Sequence, residues 1–362
     1  MRNTVQVKRD IVLATSLAFA LAMVMTGKVF AQTAEPTRYP WDNRPSACFQ
    51  PTNAKETNCK LDNWPNFEET VQRVTLLYST EQFVLLEKAM HEIVSSKKRF
   101  ADGDSPATGA YWAFRRLMPA PGTNPGHADK IARWQNAVPT SYFMPFAHAR
   151  FTYGSAWNLR GSDYAGSVSK ESWELFNIRL REAEKILLDA PAASQDTPLW
   201  HNLLLAITLD TSQTNHKPDE VFKEAVRRWP NYFDFYELRL TRLVPRWGGS
   251  WEGVDVFINH WTDHMAASEG SSLYARLYLS LRNQVTPNET AMNWTKMKKS
   301  FKDLVTRYPS VTFKNLFASY ACLARDKDAF NTAVRNISSH ELAPNQWLSG
   351  HSYEACMRWS AV

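Results

Sequence analysis

Only one stretch of this chain sets metal-ligand side chains at a usable spacing. His260-Trp261-Thr262-Asp263-His264 carries two imidazoles four residues apart. On a helix they share one face and could grip zinc. The inverted zinc-peptidase pattern is H-x-x-E-H, and here Asp263 stands in place of the glutamate, one methylene shorter toward a metal-bound water. No third ligand is identifiable, so His260 and His264 are candidates without a completed site, and the expectation is no metal and no cofactor. Serine chemistry fares no better. Val244-Pro245-Arg246-Trp247-Gly248-Gly249-Ser250-Trp251 contains a glycine-flanked serine, but a hydrolase elbow of the form G-x-S-x-G needs its second glycine where Glu252 lies. No strand precedes it either. The string reads as a structural corner: proline and paired glycines break a helix that begins near Asn231, and Ser250 caps the helix that follows. Arg160-Gly161-Ser162-Asp163-Tyr164 has loop composition and could present Arg160 and Asp163 to a ligand. With Arg246 and Trp247 of the corner, these four are the candidate partner-binding residues. Glycine-rich phosphate loops are absent. Acidic pairs such as Glu68-Glu69 and Asp219-Glu220 sit in first helical turns, where the helix dipole favours them. No two carboxylates stand out as an acid–base couple, and the expectation is a protein that is not an enzyme.

The elements that must position these residues are helices. Phe83, Leu86, Met90 and Ile93 fall at intervals of three and four. So do Trp173, Phe176, Leu180, Ala183 and Leu187, then Val254, Phe257, Ile258, Trp261 and Met265, then Trp294, Met297, Phe301, Leu304 and Tyr308. Start signals agree. Asn66 with Glu69, Ser79 with Gln82, and Thr286 with Glu289 have capping-box spacing. Pro198, Pro218 and Pro287 suit first helical positions. Sustained period-two alternation is scarce, so residues 65–362 are expected to form an all-α domain of about fifteen helices of roughly 10–22 residues. A weak echo links Trp134–Ala149, Arg228-Trp229-Pro230-Asn231 and Arg307-Tyr308-Pro309-Ser310. Each places a proline at a helix–helix junction ahead of a helix rich in aromatic and small residues. The separations imply stacked antiparallel helix pairs, in a tetratricopeptide-like α-solenoid or an irregular helical array. Fourteen tryptophans are many. Their helical spacing assigns most of them to inter-helix gaps; an exposed, carbohydrate-stacking groove is the sharper alternative.

The leader places this domain. Arg2, Lys8 and Arg9 precede an apolar run from Ile11 to Met25, and Val29-Phe30-Ala31 puts small residues at the minus-three and minus-one positions. That is the layout of a cleaved secretory signal over residues 1–31. The run is short of the ~20 residues needed to span hydrocarbon, and no later window crosses a membrane. Removing Arg2, Lys8, Arg9 and Lys28 together with Asp10 lowers the net charge from +6 to +3. Without a clustered basic stripe, nucleic acid is not an expected partner. Residues 32–64, rich in Pro, Asn and Thr, read as an extended arm. Four cysteines in an exported chain imply two disulfides, and local loop closure favours Cys48–Cys59, which would pin the arm, and Cys322–Cys356.

Several strings are similar to one known family. Trp157-Asn158-Leu159-Arg160-Gly161-Ser162, Arg228-Trp229-Pro230-Asn231-Tyr232, Pro245-Arg246-Trp247-Gly248-Gly249-Ser250, Leu273-Tyr274-Ala275-Arg276-Leu277-Tyr278 and Ala321-Cys322-Leu323-Ala324-Arg325-Asp326 resemble, in order, the bacterial family known as domain of unknown function 4034. The Trp-Gly-Gly-Ser corner and the Tyr-Ala-Arg-Leu-Tyr string are the most specific pieces. The resemblance spans roughly residues 65–340. It implies a bacterial source, hence a periplasmic or secreted destination, and a tetratricopeptide-like architecture; it brings no catalytic residue. The expectation is an exported helical scaffold for a protein or peptide partner in the cell envelope. The alternative is a glycan-acting or glycan-binding protein using exposed Trp and a carboxylate.

Overall fold

A computed structural model of the protein describes residues 66–118, 126–284 and 289–361. The leader, the arm, the Cys48–Cys59 pairing, and Thr286 and Pro287 as helix-start signals lie outside the described residues. Within them the chain is all-α. It runs through α1 (Phe67–Ser79), α2 (Phe83–Val94), α3 (Pro106–Arg116), α4 (His127–Ala137), α5 (Met144–Arg160) and α6 (Lys170–Leu188). A single turn, α7 (Ala192–Gln195), leads to α8 (Pro198–Asp210), α9 (Pro218–Arg228), α10 (Asp234–Thr241) and α11 (Trp251–His264). A second short turn, α12 (Ala266–Glu269), precedes α13 (Ser272–Ser280), α14 (Trp294–Arg307), α15 (Val311–Leu323), α16 (Lys327–Arg335) and α17 (Tyr353–Ala361).

Two kinds of helix alternate, and composition separates them. α3 buries every residue from Pro106 to Phe114, α8 every residue from Pro198 to Thr208, and α13 every residue from Ser272 to Leu279. Such helices are apolar or small all round and belong in the interior. Their companions bury one stripe only: Val221, Phe222, Ala225 and Val226 on α9; Met297, Ser300, Phe301 and Leu304 on α14; Ala329, Phe330 and Ala333 on α16. Neighbours pack in pairs: α5 along α6, α8 along α9, α13 along α14, α15 along α16. The inner helices also meet one another. α3 and α5 both touch α8, α8 touches α10, and α10 touches α13. Pro139, Pro230 and Pro309 all fall between helices.

Local signals explain most boundaries. Asn66 Oδ1 accepts the Glu68 and Glu69 amides at 2.9 and 3.4 Å, and Ser250 Oγ accepts the Gly253 amide at 3.0 Å. Pro198 and Pro218 open α8 and α9. Three expectations are corrected. Ser79 is not a cap; it ends α1, and α2 starts after Gln82 without a side-chain cap because Glu81 turns the chain in the left-handed region (φ 58°). The helix after Trp229-Pro230 begins at Asp234, not near Asn231. The described helices number seventeen and run from 4 to 19 residues, because the single turns α7 and α12 bridge longer neighbours. At the Trp-Gly-Gly-Ser corner, a Cβ on Gly249 would lie 1.9 Å from the Leu243 carbonyl oxygen, which fixes glycine there.

Cys322 of α15 and Cys356 of α17 are bonded, closing a 34-residue separation. Cys356 is the one residue of α17 that is fully buried. Cys356→Ser is therefore expected to lower unfolding free energy by about 2–4 kcal/mol. Amide exchange should speed up in α17 first, and unchanged protection there would show that packing alone holds the last helix.

Candidate functional site

The interior of an all-α array is an expensive place for charge, yet a line of ionisable groups runs through the inner helices. It begins in the connection between α2 and α3. Asp102-Gly103-Asp104 is buried, with the Asp104 amide donating to Asp102 Oδ1 at 3.1 Å. Arg276, from the middle of α13 and only 3% exposed, reaches into this loop. Its Nη1 lies 3.0 Å from Asp104 Oδ1 and its Nη2 donates to the Asp102 carbonyl. Its guanidinium carbon sits 4.0 Å from the centre of the Phe233 ring. Gly103 takes φ 88°, and a Cβ there would come within 2.6 Å of the Tyr308 ring and 2.8 Å of Arg276 Nη2. The Asp-Gly-Asp sequence is thus a socket for one arginine. Beside it, the Tyr308 hydroxyl donates to buried Glu269 at 3.0 Å, Ser272 does the same, and Arg99 Nη1 donates to the Asn231 carbonyl at 2.7 Å.

The line continues on α10. Asp234, in its first turn, has its carboxyl pushed up to about 6 by burial, with the Tyr232 and Thr108 hydroxyls offsetting part of the rise. One turn on, Glu237 is 8% exposed. Burial, and then the negative charges of Asp104 and Asp234, hold its carboxyl well above the usual carboxylate range; Arg276 offsets only part. Among the described residues no side chain or amide bonds that carboxyl. Glu237 is a buried carboxyl whose environment favours the protonated form.

At the end of α8, Asp210 is saturated. It accepts from the Tyr153 hydroxyl at 2.7 Å, Trp157 Nε1 at 3.1 Å and Arg242 Nε at 2.9 Å. One carboxylate thereby ties α5, α8 and the end of α10 together. Arg242 also stacks 4.4 Å over Trp247, and Trp247 sets its edge against Trp157. Beyond Asp210 lies Arg150 of α5, 4% exposed, with the rings of Tyr111 and Tyr153 against its guanidinium.

The residues singled out in the sequence fall around this line rather than on it. Arg246 sits over the Tyr164 ring at 5.3 Å, so the corner and the Arg160–Tyr164 loop do meet. Trp247 is 37% exposed, and Asp163 lies on the exposed loop. Arg160 is not offered to solvent. It is buried between Trp157 and Trp173, and its Nη1 donates to the carbonyls of Gly161 and Asp163, each at 3.0 Å, shaping the loop from within. His260 and His264 are exposed, with stacked rings 6.2 Å apart. No group of three or more metal-capable side chains occurs among the described residues. Of the described tryptophans, Trp247 alone is exposed; Trp112, Trp134, Trp200 and Trp347 are buried and the others half-buried. A cavity of about 440 Å³ opens under the α8–α9 connection, lined by Asp210, Thr211, Thr214, His216 and Lys217 among others. Its polar lining is already bonded, His216 to Glu184 at 2.9 Å and Thr211 to Asn177 at 2.6 Å. Sequence reasoning missed Arg150, Glu237 and Arg276. Their signal was present: each is a charge flanked at helical spacing by apolar or aromatic residues, for example Phe146 and Tyr153 around Arg150.

Compared with family models, curated proteins and solved structures, the chain matches none.

Two outcomes follow from the geometry. Asp210→Ala strands the buried end of Arg242 and two ring donors, and should cost about 3–5 kcal/mol in denaturant unfolding. A loss under about 1 kcal/mol would mean the cluster is not a tie. Glu237 has a raised carboxyl in the folded state, so its stabilising protonated form is complete below the ordinary carboxylate range and is lost as pH rises through the folded value. Glu237→Gln should match the parent at pH 4 and exceed it in stability at pH 8, read by denaturant unfolding. Equal stability at pH 8 would refute the buried, unpaired assignment.

Proposed function

We propose that this chain is a non-enzymatic helical scaffold that binds a protein or peptide partner in the bacterial cell envelope, reached through the leader at residues 1–31. The resemblance to domain of unknown function 4034 supports the bacterial envelope setting. The observation that carries the binding role is the charged line through the inner helices. Arrays of paired helices use their inner helices to receive extended partners. Here those helices hold groups of both signs, some fully bonded and some, such as Glu237 and Arg150, without a partner. A peptide carries both signs and a periodic set of amides, and can answer both.

Glu237 favours a second reading. A buried carboxyl with a raised pKa is what a glycan-acting enzyme uses as a general acid. The tryptophans that would form its sugar platform are mostly buried or half-buried, so this reading ranks behind the first.

A photo-crosslinking residue separates the two faces. Placed at Leu238, beside Glu237 on α10, it should give discrete adducts with a peptide library. Placed at Val256, 64% exposed on outer helix α11, it should give none. Equal labelling at both positions, or none at either, would sink the scaffold reading. Release of reducing ends from peptidoglycan by the parent but not by Glu237→Gln would replace it with the second.

A further inference from the structure

Tyr111 and Arg115 stand four residues apart on α3, and Arg150 and Tyr153 three apart on α5, so each pair shares a helix face. α3 and α5 pack together, and the two faces meet. Arg150 is the group that stands out. It is 4% exposed, and its Nε and Nη1 are buried with no hydrogen-bond partner. Its contacts are π-faces: its guanidinium carbon lies 5.4 Å from the Tyr111 ring centre and 5.3 Å from that of Tyr153. The neighbouring ionised side chain is Arg115, another cation, which is half-buried and stacks 4.4 Å over Trp112. Neither arginine makes an ion pair among the described residues. The Tyr153 hydroxyl is spent on Asp210, but that of Tyr111 donates to nothing described.

The other cations set into the interior each reach at least one acceptor, Arg282 that of Gln346, although Arg276 Nε and Arg282 Nη1 also go unbonded. Arg276 has Asp104, Arg242 has Asp210, Arg160 has two carbonyls, and Arg99 has one. Burying a guanidinium without an anion is strongly unfavourable, and folded proteins rarely leave one so. Burial accordingly depresses the Arg150 pKa, and Arg115 depresses it further while the tyrosines resist. Arg150, Arg115 within electrostatic reach of it, and the Tyr111 phenol make a donor set with no acceptor among the described residues. Ring contacts leave the in-plane N–H groups of Arg150 unused. Those form a flat fork that matches a planar carboxylate through two parallel bonds.

We propose that Arg150, with Arg115 and the Tyr111 hydroxyl, forms a carboxylate-binding site that receives the carboxylate of a peptide ligand. This rests on the peptide-binding reading for the source of the carboxylate, but not for the existence of the site. Half-buried Arg115 and Tyr153 place the site at the edge of the interior, where a chain end can enter.

The test is calorimetric titration of the purified protein at fixed ionic strength with trialanine, its C-terminal amide, acetate and inorganic phosphate. Trialanine and acetate should bind, the amide at least tenfold more weakly than trialanine, and phosphate more weakly than acetate. Arg150→Met should abolish the difference between trialanine and its amide. The same variant should raise the thermal midpoint without ligand, since it removes an unpaired buried cation. If that variant does not fold, Arg115→Met, at the edge of the interior, should still weaken trialanine several-fold. Binding of no carboxylate by the parent, or undiminished trialanine binding by the variants, overturns the site. Phosphate binding tighter than acetate overturns the assignment to carboxylate. Acetate bound through Arg150 while no peptide binds leaves the site and removes the peptide reading. Peptide bound independently of Arg150 does the reverse.

Discussion

The ion pair between Arg276 and Asp104 spans 172 residues of sequence and sets α13 against the loop that precedes α3. Everything between, from α3 to α12, must fold so that this arginine finds its socket. Both partners are nearly inaccessible to water, so removing either would leave an uncompensated buried charge. Such a pair contributes little to net stability against a well-packed apolar substitute. Its use is discrimination: an arrangement that shifts α13 by one turn carries Arg276 away from Asp104 and into apolar surroundings, and is penalised by several kcal/mol. The socket is equally specific. Only glycine at position 103 allows Arg276 and the Tyr308 ring to close over the loop. An array of helices whose inner members are apolar on all sides has many near-equivalent packings, and a few buried charges select one of them.

Asp210 plays the same part at a second place. Its carboxylate collects donors from α5 and from the end of α10, and Arg242 hands the arrangement on to Trp247 at the Trp-Gly-Gly-Ser corner. The corner itself is a backbone requirement, since Gly249 lies against the Leu243 carbonyl. The Arg246–Tyr164 contact then fixes the loop after α5. The exposed corner and loop, read from the sequence as a recognition surface, are therefore the outer end of a chain of contacts anchored on one buried carboxylate.

The helical class was legible because apolar spacing is a local property. Leu86, Met90 and Ile93 on α2, or Phe176, Leu180 and Leu187 on α6, mark one-sided helices wherever they occur. Asn66, Ser250 and Ser169 cap helices through bonds two or three residues long, so sequence alone locates them. The Ser79–Gln82 spacing failed because the same letters serve a tight turn when Glu81 adopts positive φ. The alternation of inner and outer helices was less legible, since α8 and α13 carry no one-sided stripe to count. The charged line was not legible at all as a line. Arg150, Asp210, Glu237 and Arg276 lie on four helices, and which of them share an interior depends on packing among α5, α8, α10 and α13. Arg160 illustrates the opposite error: a charge at a loop edge reads as exposed, while two tryptophan faces and two carbonyls draw it in.

Within that interior the satisfied and the unsatisfied charges have different meanings. Asp210 and Glu269 have donors on their carboxylates, and Arg276 has Asp104 opposite its charge although its Nε goes unbonded. Arg150 and Glu237 are held by the same packing but receive no bond in return. Burial disfavours the charged form of each, and each would be relieved by a group of opposite character. A chain under selection for stability alone would replace them with methionine or glutamine at no cost in volume. On the reading proposed above, a ligand carboxylate at Arg150 would supply the acceptor that the packing around Nε and Nη1 withholds.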